Sequence, residues 1–573
     1  VVWSDGDQAA VGPEKFVMPA ASSRWRQLAK TVRPLFAPAV RTHTLAGLAL
    51  LVALALSLNG LNVVNSYVGR GFMTSLADRE VAAFYRYGFY YLGVFLASTI
   101  VAVSSQFAQD RLALFWRQSL TTHLVDQYLD RHAYYHLHAV AEIDNPDQRL
   151  SEDVRSFTAT LLSFLMILLN SSITIVSFAV ILCSIDTRLF LAAVGYAVVG
   201  SLATVLLGHR LVSLNYQQLN KEADLRYALV RIREYTEPIA LLRGEPEEDN
   251  QVRERLAQVV AVVKRVIGVN RNIGFFTSFF NYLAPILPII LVAPSFLRHE
   301  IEFGQVTQSA MAFTQFLGGL AVFIAQFQNI SNFAAVITRL GTLKSSIHMA
   351  QLPIHGQIQL RQDDTRVAYE KLTLTTSEEN RVLIEELSLE IPRGRRLLVQ
   401  GSDGAGKIAL FRATAGLWDA GSGTIVRPHA EQMMFLPHKP YTILGTLRDQ
   451  ALYGLHDRGI RDEQLRETLH SLKLDPVVER VGGLDAERDW PATLSVGEQQ
   501  LLAFARLLLA SPPFAFLDQV VNALSPSRGE QLYQLLAASS ITYLSIGDHG
   551  QIRPYHDWKL EIAEDGQWSM EKA

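Results

Sequence analysis

Residues 401–408 read GSDGAGKI. The run is one position short of the phosphate cradle G-x-x-x-x-G-K-[ST]. Gly401, Ser402, Asp403, Gly404, Ala405, Gly406 and Lys407 make up the loop, and Ile408 stands where a hydroxyl would meet magnesium. Glycines let backbone N–H groups approach phosphate, and the N-terminus of a following helix adds partial positive charge. Lys407 would reach the outer phosphates. Downstream, FAFLDQ at 514–519 is a hydrophobic run ending in Asp518, a carboxylate suited to hold magnesium directly or through water. The chemistry expected is ATP binding with a weakened hold on Mg2+.

Other positions bear on what happens to a bound nucleotide. Leu494, Ser495, Val496, Gly497, Glu498 and Gln499 match the LSGGQ-type signature loop of ABC nucleotide domains. There Ser495 and Gly497 would cap the γ-phosphate held by an opposite subunit. Gln519 stands where the general-base glutamate belongs. An amide cannot take the proton, and a positioned base is worth ~10²–10⁴ in rate. His438, in FLPHKPY, occupies the Q-loop slot, and Ser525, in NALSP, the D-loop aspartate position. Asp548, in LSIGDHG, fills the switch-histidine position and sets a like charge against phosphate. His549 is adjacent, but one residue along a strand points to the other face. The expectation is a site relieved of hydrolysis.

These residues need a scaffold. RLLVQ at 396–400 reads as a strand and 408–417 as a helix, the context a phosphate loop requires. Short β-rich runs at 433–436, 514–517 and 542–546 alternate with helical segments, which predicts an α/β domain with a mostly parallel sheet. Tyr369, in the strand run 367–374, is the candidate to stack on adenine; the strand alternatively only builds the sheet. The first part of the chain is different. Apolar stretches at 45–67, 88–107, 163–184, 189–206, 274–296 and 310–329 are each near the ~20 residues that span a bilayer. The expected plan is therefore a cytoplasmic segment at 1–44, an all-α six-helix transmembrane domain at 45–340, a linker at 341–356 and an α/β P-loop domain at 357–573.

Lys15, Arg24, Arg26, Lys30, Arg33 and Arg41 precede the first span and put the N-terminus in the cytoplasm. The two long polar connections then also fall there. A formal charge of −3 gives no electrostatic case for nucleic acid. The single cysteine, Cys183, excludes an internal disulfide framework and reads as a small buried hydrophobe. No cleavable signal peptide is visible in the polar or mixed first forty residues.

With these motifs in place the chain resembles the SbmA/BacA-like ABC half-transporters, relatives of the peroxisomal fatty-acyl half-transporters. The resemblance runs from about residue 45 to about residue 560. It is carried by Trp116–Arg117, Tyr134–Tyr135, IDNPDQRLSEDV at 143–154, the run ADLRYALVRIREYTEPIALLRGEPEE at 223–248, and Ala293–Pro294. It implies a type-IV exporter-like fold built as two six-helix halves with two nucleotide domains. It also implies that 144–152 and 234–248 lie in cytoplasmic loops touching the nucleotide domain. Characterised relatives take up peptides or cobalamin, or move fatty-acyl compounds.

Sites in this family are shared across a dimer. Here the phosphate loop, magnesium and switch positions are altered and the signature is intact, a pattern that suits a heterodimer in the lipid bilayer with a competent second half-transporter. A slow homodimer is the alternative. So is an ATP-independent, proton-coupled or facilitative permease with a vestigial nucleotide domain, for which Glu234 and Glu237 are the acidic candidates. A non-transporting scaffold ranks last. Polar residues on the apolar segments point to a hydrated cavity for a hydrophilic solute: Gln308, Gln315, Gln326 and Asn329 on one narrow face, and Asn59, Asn62 and Asn65 along the first helix. Inter-helix hydrogen bonding explains them equally well.

Overall fold

Uninterrupted helical periodicity makes very long helices in the first part of the chain. The computed structural model describes residues 21–139, 145–351, 357–376, 381–401, 404–455, 459–547 and 550–573. Its helices α1 (Ala21–Val32), α2 (Pro38–Ala77), α3 (Val81–Leu129), α4 (Val154–Ile185), α5 (Thr187–Glu234), α6 (Glu245–Leu283), α7 (Ile286–Leu297), α8 (Phe303–Ala325) and α9 (Phe327–Gln351) belong to one unit, Val1–Leu352. At 1.5 Å per residue, the 49 residues of α3 reach ~74 Å, well beyond the ~30 Å hydrocarbon core. The same helix therefore carries an apolar half and a polar half. Among the described residues, five helical stretches are long and apolar enough to cross a membrane: Pro38–Ala77, Val81–Leu137, Pro146–Ile185, Thr187–Glu234 and Glu245–Leu297.

The sixth expected span, 310–329, is not among these stretches of the described residues. It falls on α8, which ends at a turn at Gln326. Within the unit α8 packs against α2, α4, α5 and α7, and its Ala312, Phe313 and Phe316 are buried. The expected linker is 341–356. Residues 341–351 continue α9, because Leu343 and Ile347 pack into a small core with Ala133 and Leu137. Residues 352–356 lie outside the described set. Cys183 is exposed rather than buried, since α4 turns that face away from its neighbours. A lipid-facing position needs only an apolar side chain, and sequence alone does not separate it from a core position.

Two features lock one end of α4 to α9. Arg149–Asp153 form a π-helical turn just before α4. Asp153, only 6% exposed, accepts two hydrogen bonds from the Arg339 guanidinium of α9, the Nε one at 2.7 Å, while Arg149 donates to Thr342 at 3.1 Å. Replacing Arg339 by Met strands a buried carboxylate. We expect a loss of about 2 kcal/mol or more, read as a lower unfolding temperature, with partial recovery when Asp153→Asn is added.

The second unit, Pro353–Ala573, holds two sheets. Strands β1 (Gln357–Gln362), β2 (Arg366–Thr375), β3 (Val382–Pro392) and β5 (Gly421–Arg427) form one, in the order β1-β5-β2-β3. Strands β4 (Arg396–Gly401), β6 (Met433–Leu436), β7 (Phe514–Asp518), β8 (Thr542–Ile546), β9 (Trp558–Ile562) and β10 (Trp568–Lys572) form the other, in the order β10-β9-β4-β8-β7-β6. All of its pairs are parallel except β10 with β9. All five residues of β7 are buried, the continuous apolar run that a central parallel strand requires. Tyr369 sits in β2 at 2% exposure, its hydroxyl 2.9 Å from Thr414 Oγ1. It builds the sheet and offers no ring to adenine, which removes it as the stacking candidate; burial pushes its phenol up to about 12.

His556 is buried against Tyr533 and Tyr543, with ring centroids at 5.5 and 5.2 Å. Its Nδ1 donates to the Ile552 carbonyl at 2.8 Å, and Nε2 has no hydrogen-bond partner among the described residues. Burial pushes its pKa down to about 4 from 6.5. The unfolded chain thus takes up a proton at a pH where the folded one does not. Its contribution is complete above about pH 6.5 and is lost as pH falls towards about 4, at most about 3 kcal/mol. Unfolding temperatures measured across that window should fall for the native chain and fall less for His556→Gln; equal slopes would exclude the assignment.

Candidate functional site

The phosphate loop follows β4, whose Leu397, Leu398 and Val399 are buried in the sheet, and opens helix α10 (Gly404–Ala415). Gly401 has φ +154°, and a Cβ there would lie 2.2 Å from the Ile562 carbonyl oxygen. A Cβ at Gly406 would meet the Leu383 carbonyl at 3.0 Å. These two close approaches, not chain flexibility, require glycine. Lys407 is 3% exposed, and its Nζ donates to the Gly401 carbonyl at 2.6 Å across the loop. Ile408 is 36% exposed and Ala409 is buried. Ser402 and Asp403 lie outside the described residues.

Asp518 ends β7 on the same sheet. Burial raises its carboxyl above the ordinary range, while His438, Arg412 and Lys407 draw it back down. The backbone of His438 hydrogen-bonds the carboxylate, and Oδ1 is buried with no partner among the described residues. Arg412 is absent from the sequence candidates. Its signal is a place about one and a half turns beyond Lys407 on the same helix.

The next residue, Gln519, has φ +50°. Its N–H donates to the Ile546 carbonyl at 2.9 Å, and its Oε1 accepts from Asn522 Nδ2 at 2.6 Å. The amide is therefore tied back into its own turn. His438 is exposed on a bend after β6. Ser525 is the N-cap residue of α12 (Pro526–Ala538) but makes no side-chain cap bond. Asp548, with His549, lies outside the described residues.

Magnesium binding can be tested on this donor set. The cation needs near-octahedral oxygen ligands at ~2.0–2.1 Å. Asp518 Oδ1 is a suitable oxygen. Ile408 offers none, and His438 brings imidazole nitrogen where an amide oxygen would serve. Among the described residues, the donors present do not fit a protein-held Mg2+.

The signature run forms the start of α11 (Val496–Ala510). Ser495 Oγ accepts from the Glu498 N–H at 3.3 Å, and the Glu498 carboxylate accepts from the Ser495 N–H at 2.9 Å, a closed capping box. The Arg480 guanidinium, 2.9 Å away, holds the Glu498 carboxyl below its usual range. Gln499 Nε2 donates to the Leu494 carbonyl at 2.9 Å. A Cβ on Gly497 would meet the Ala523 carbonyl at 3.1 Å, so the loop after Asp518 seats directly on this helix. Ser495 and Val496 are exposed, leaving the helix start open to a partner.

In the membrane unit the polar residues divide. Gln308 is 3% exposed and donates to Ser66 Oγ at 3.2 Å, joining α8 to α2. It is not a cavity residue of this chain, and the expectation is corrected: its polar head is used between helices. Asn59 is likewise buried. Its Nδ2 donates to Ala55 O and Asn170 Oδ1, and its Oδ1 accepts from Thr174 at 2.7 Å. Asn62 and Gln315 are half-buried, and Gln326 accepts from Asn329 at the α8–α9 turn. Asn59→Leu should lower the unfolding temperature by the equivalent of about 1 kcal/mol, because two polar partners on α4 lose their bonds.

Comparison with known proteins matches both units. Residues 32–297 match the family described as ABC transporter transmembrane region 2, and residues 384–522 the family described as ABC transporter. An uncharacterised ABC transporter ATP-binding protein of Synechocystis sp. is 38% identical, over 91% of this chain and 81% of that protein. ABC transporter D family member 2, chloroplastic, of Arabidopsis thaliana is 34% identical, over 98% of this chain and 90% of that protein. The human lysosomal cobalamin transporter is 29% identical, over 83% and 85%.

Proposed function

Because this chain belongs to the ABC transporter family, as a half-transporter with one membrane region and one nucleotide domain, we propose that it moves a hydrophilic or amphipathic solute across the inner membrane with an ATP site of its own that binds without hydrolysing. A competent second half-transporter supplies the power. One observation carries this reading. Gly401 and Gly406 pack against backbone carbonyls and the signature helix is capped, while the Gln519 amide is bonded to Asn522 and Ile408 presents only carbon.

The membership is drawn more closely by the run Asn145–Arg149, NPDQR, which points to the SbmA/BacA-like group. In this reading α8 completes six membrane helices in a type-IV arrangement. Exposed Lys30, Arg33 and Arg41 near the start of α2 support a cytoplasmic N-terminus, and with it a cytoplasmic nucleotide domain. The cargo is peptide-like or cobalamin-like, the second supported by the name of the human relative. Asn62, Gln315 and Gln326 remain the residues that would face it.

The test is uptake into proteoliposomes holding this chain, its partner, or both. Uptake and ATP consumption should need both chains. Uptake by the lone chain under a pH gradient would mark an ATP-independent permease instead. With both chains present, Gln315→Leu should reduce uptake of a polar cargo severalfold and leave assembly intact.

A further inference from the structure

Helix α1 ends in a basic turn that the rest of the membrane unit holds in place. It packs on α9, where a Cβ at Gly341 would meet the Gln27 side chain at 3.1 Å. Leu28 and Val32 join the core around Trp116, and Leu35 of the following 3-10 turn, Arg33–Phe36, is fully buried. Two bonds pin that turn. Thr44 Oγ1 donates to the Leu35 carbonyl at 2.9 Å, and Trp116 Nε1 donates to Thr44 Oγ1 at 3.3 Å. Lys30 and Arg33 are exposed. Lys344 of α9 reaches them from 314 positions away, its Nζ donating to the Lys30 carbonyl at 3.0 Å. The charges that act on Lys344 are Arg33 and Lys30, both of its own sign; with burial they hold its ammonium below the usual range. His123 of α3 also feels Lys344, and Asp126 is the carboxylate beside that histidine. Three cations against this one carboxylate leave two positive charges in excess. Among the described residues, none of the three cations makes an ion pair. Like charges gathered in this way repel, and a bound anion would offset the repulsion.

We propose that Lys30, Arg33 and Lys344 form a docking site for the headgroup of an anionic phospholipid. Exposed Arg41 and His43 follow the turn, and the apolar stretch of α2 begins at Leu45, so the three cations stand at the level of the headgroups. Apolar surface adjoins them: Phe36 in the turn is 39% exposed and Leu45 is 46% exposed. Acyl chains would cover these side chains, whereas a free phosphate ion would gain nothing from them. A loose basic tail attracts any anionic surface. Here the turn is pinned and Lys344 comes from another helix, so the cations keep a fixed spacing, the character of a headgroup pocket between helices. The site stands apart from the nucleotide pocket and does not depend on how that pocket is read.

The experiment titrates the purified full chain in detergent with phosphatidylglycerol or with phosphatidylcholine and counts retained lipid by native mass spectrometry. The readout is the preference between the two lipids. The native chain should hold phosphatidylglycerol about tenfold or more tightly than phosphatidylcholine. Lys344→Gln should cut that preference about fivefold, the size expected for one cation at an anionic surface, and Lys344→Arg should keep it. The pair Lys30→Gln with Arg33→Gln alters only exposed side chains and should remove most of the preference without disturbing the α1–α9 packing. Arg253→Gln, which alters a surface arginine already paired with Asp249, should change nothing. Millimolar inorganic phosphate should leave the bound lipid in place. Displacement by phosphate would mark a free-anion site and overturn the lipid assignment. Equal retention of the two lipids by the native chain, or an undiminished preference in the exposed pair, would overturn the proposal outright.

Discussion

Purified alone, the chain is expected to hydrolyse ATP ~10²–10⁴-fold more slowly than a half-transporter with an intact catalytic carboxylate. The cause is located. The Gln519 side chain can neither take a proton nor swing freely, because Asn522 holds its oxygen at 2.6 Å. Gln519→Glu alone should recover little, since Ile408 still gives a metal no foothold. Ile408→Ser alone should recover little for the converse reason. Groups that act as a unit are strongly non-additive, so only the double substitution should raise turnover measurably, with the full rate expected only after a further change at Asp548. Phosphate release by the four proteins, side by side, decides the matter. Brisk turnover by the native chain, abolished by Lys407→Ala, ends the idle-site account.

The second large effect concerns the partner. If the chain lends its signature to a competent site, Gly497→Asp should stop hydrolysis by the assembled pair, at ~10²-fold or more, the scale for losing one donor set around a developing phosphate charge. The same change in the signature of the other half should leave turnover nearly intact, because that loop would face the idle pocket. Gly497 is a demanding position in any case, with the Ala523 carbonyl 3.1 Å from a would-be Cβ. Ser495→Ala, which removes the signature hydroxyl without adding bulk, should lower turnover in the same direction and separates a lost phosphate contact from a clash at Gly497. Equal losses from the two chains' signatures would instead indicate two equivalent sites.

Much of the nucleotide domain's fold is legible in the sequence. Strand β7 announces itself because a central parallel strand is apolar on both faces, and FAFLD can be little else. The phosphate loop and the capping box are local, set by residues a few positions apart, so Gly401, Lys407, Ser495 and Glu498 stand where their spacing predicts. What periodicity does not carry is the identity of the neighbour. Gln308 lies on a polar stripe, but Ser66, 242 positions away, decides that it is a bond between helices. Tyr369 and Cys183 fail for the same reason: one is covered by Thr414 from α10, and the other is exposed among the described residues. The role of Arg412 becomes apparent only when α10 and β7 are set side by side.

The wide turn at Arg149–Asp153 carries a consequence for the segment ahead of it. A π turn contains one residue more than an α turn needs, so it shifts the phase of everything upstream by ~100° about the helix axis. Deleting Leu150 would let the coil tighten to ordinary pitch. The NPDQ stretch would then rotate by that angle while α4 stayed put, carrying Arg149 off Thr342. The surplus residue thus acts as a fixed gear tooth, setting which way that stretch faces without altering the rod behind it.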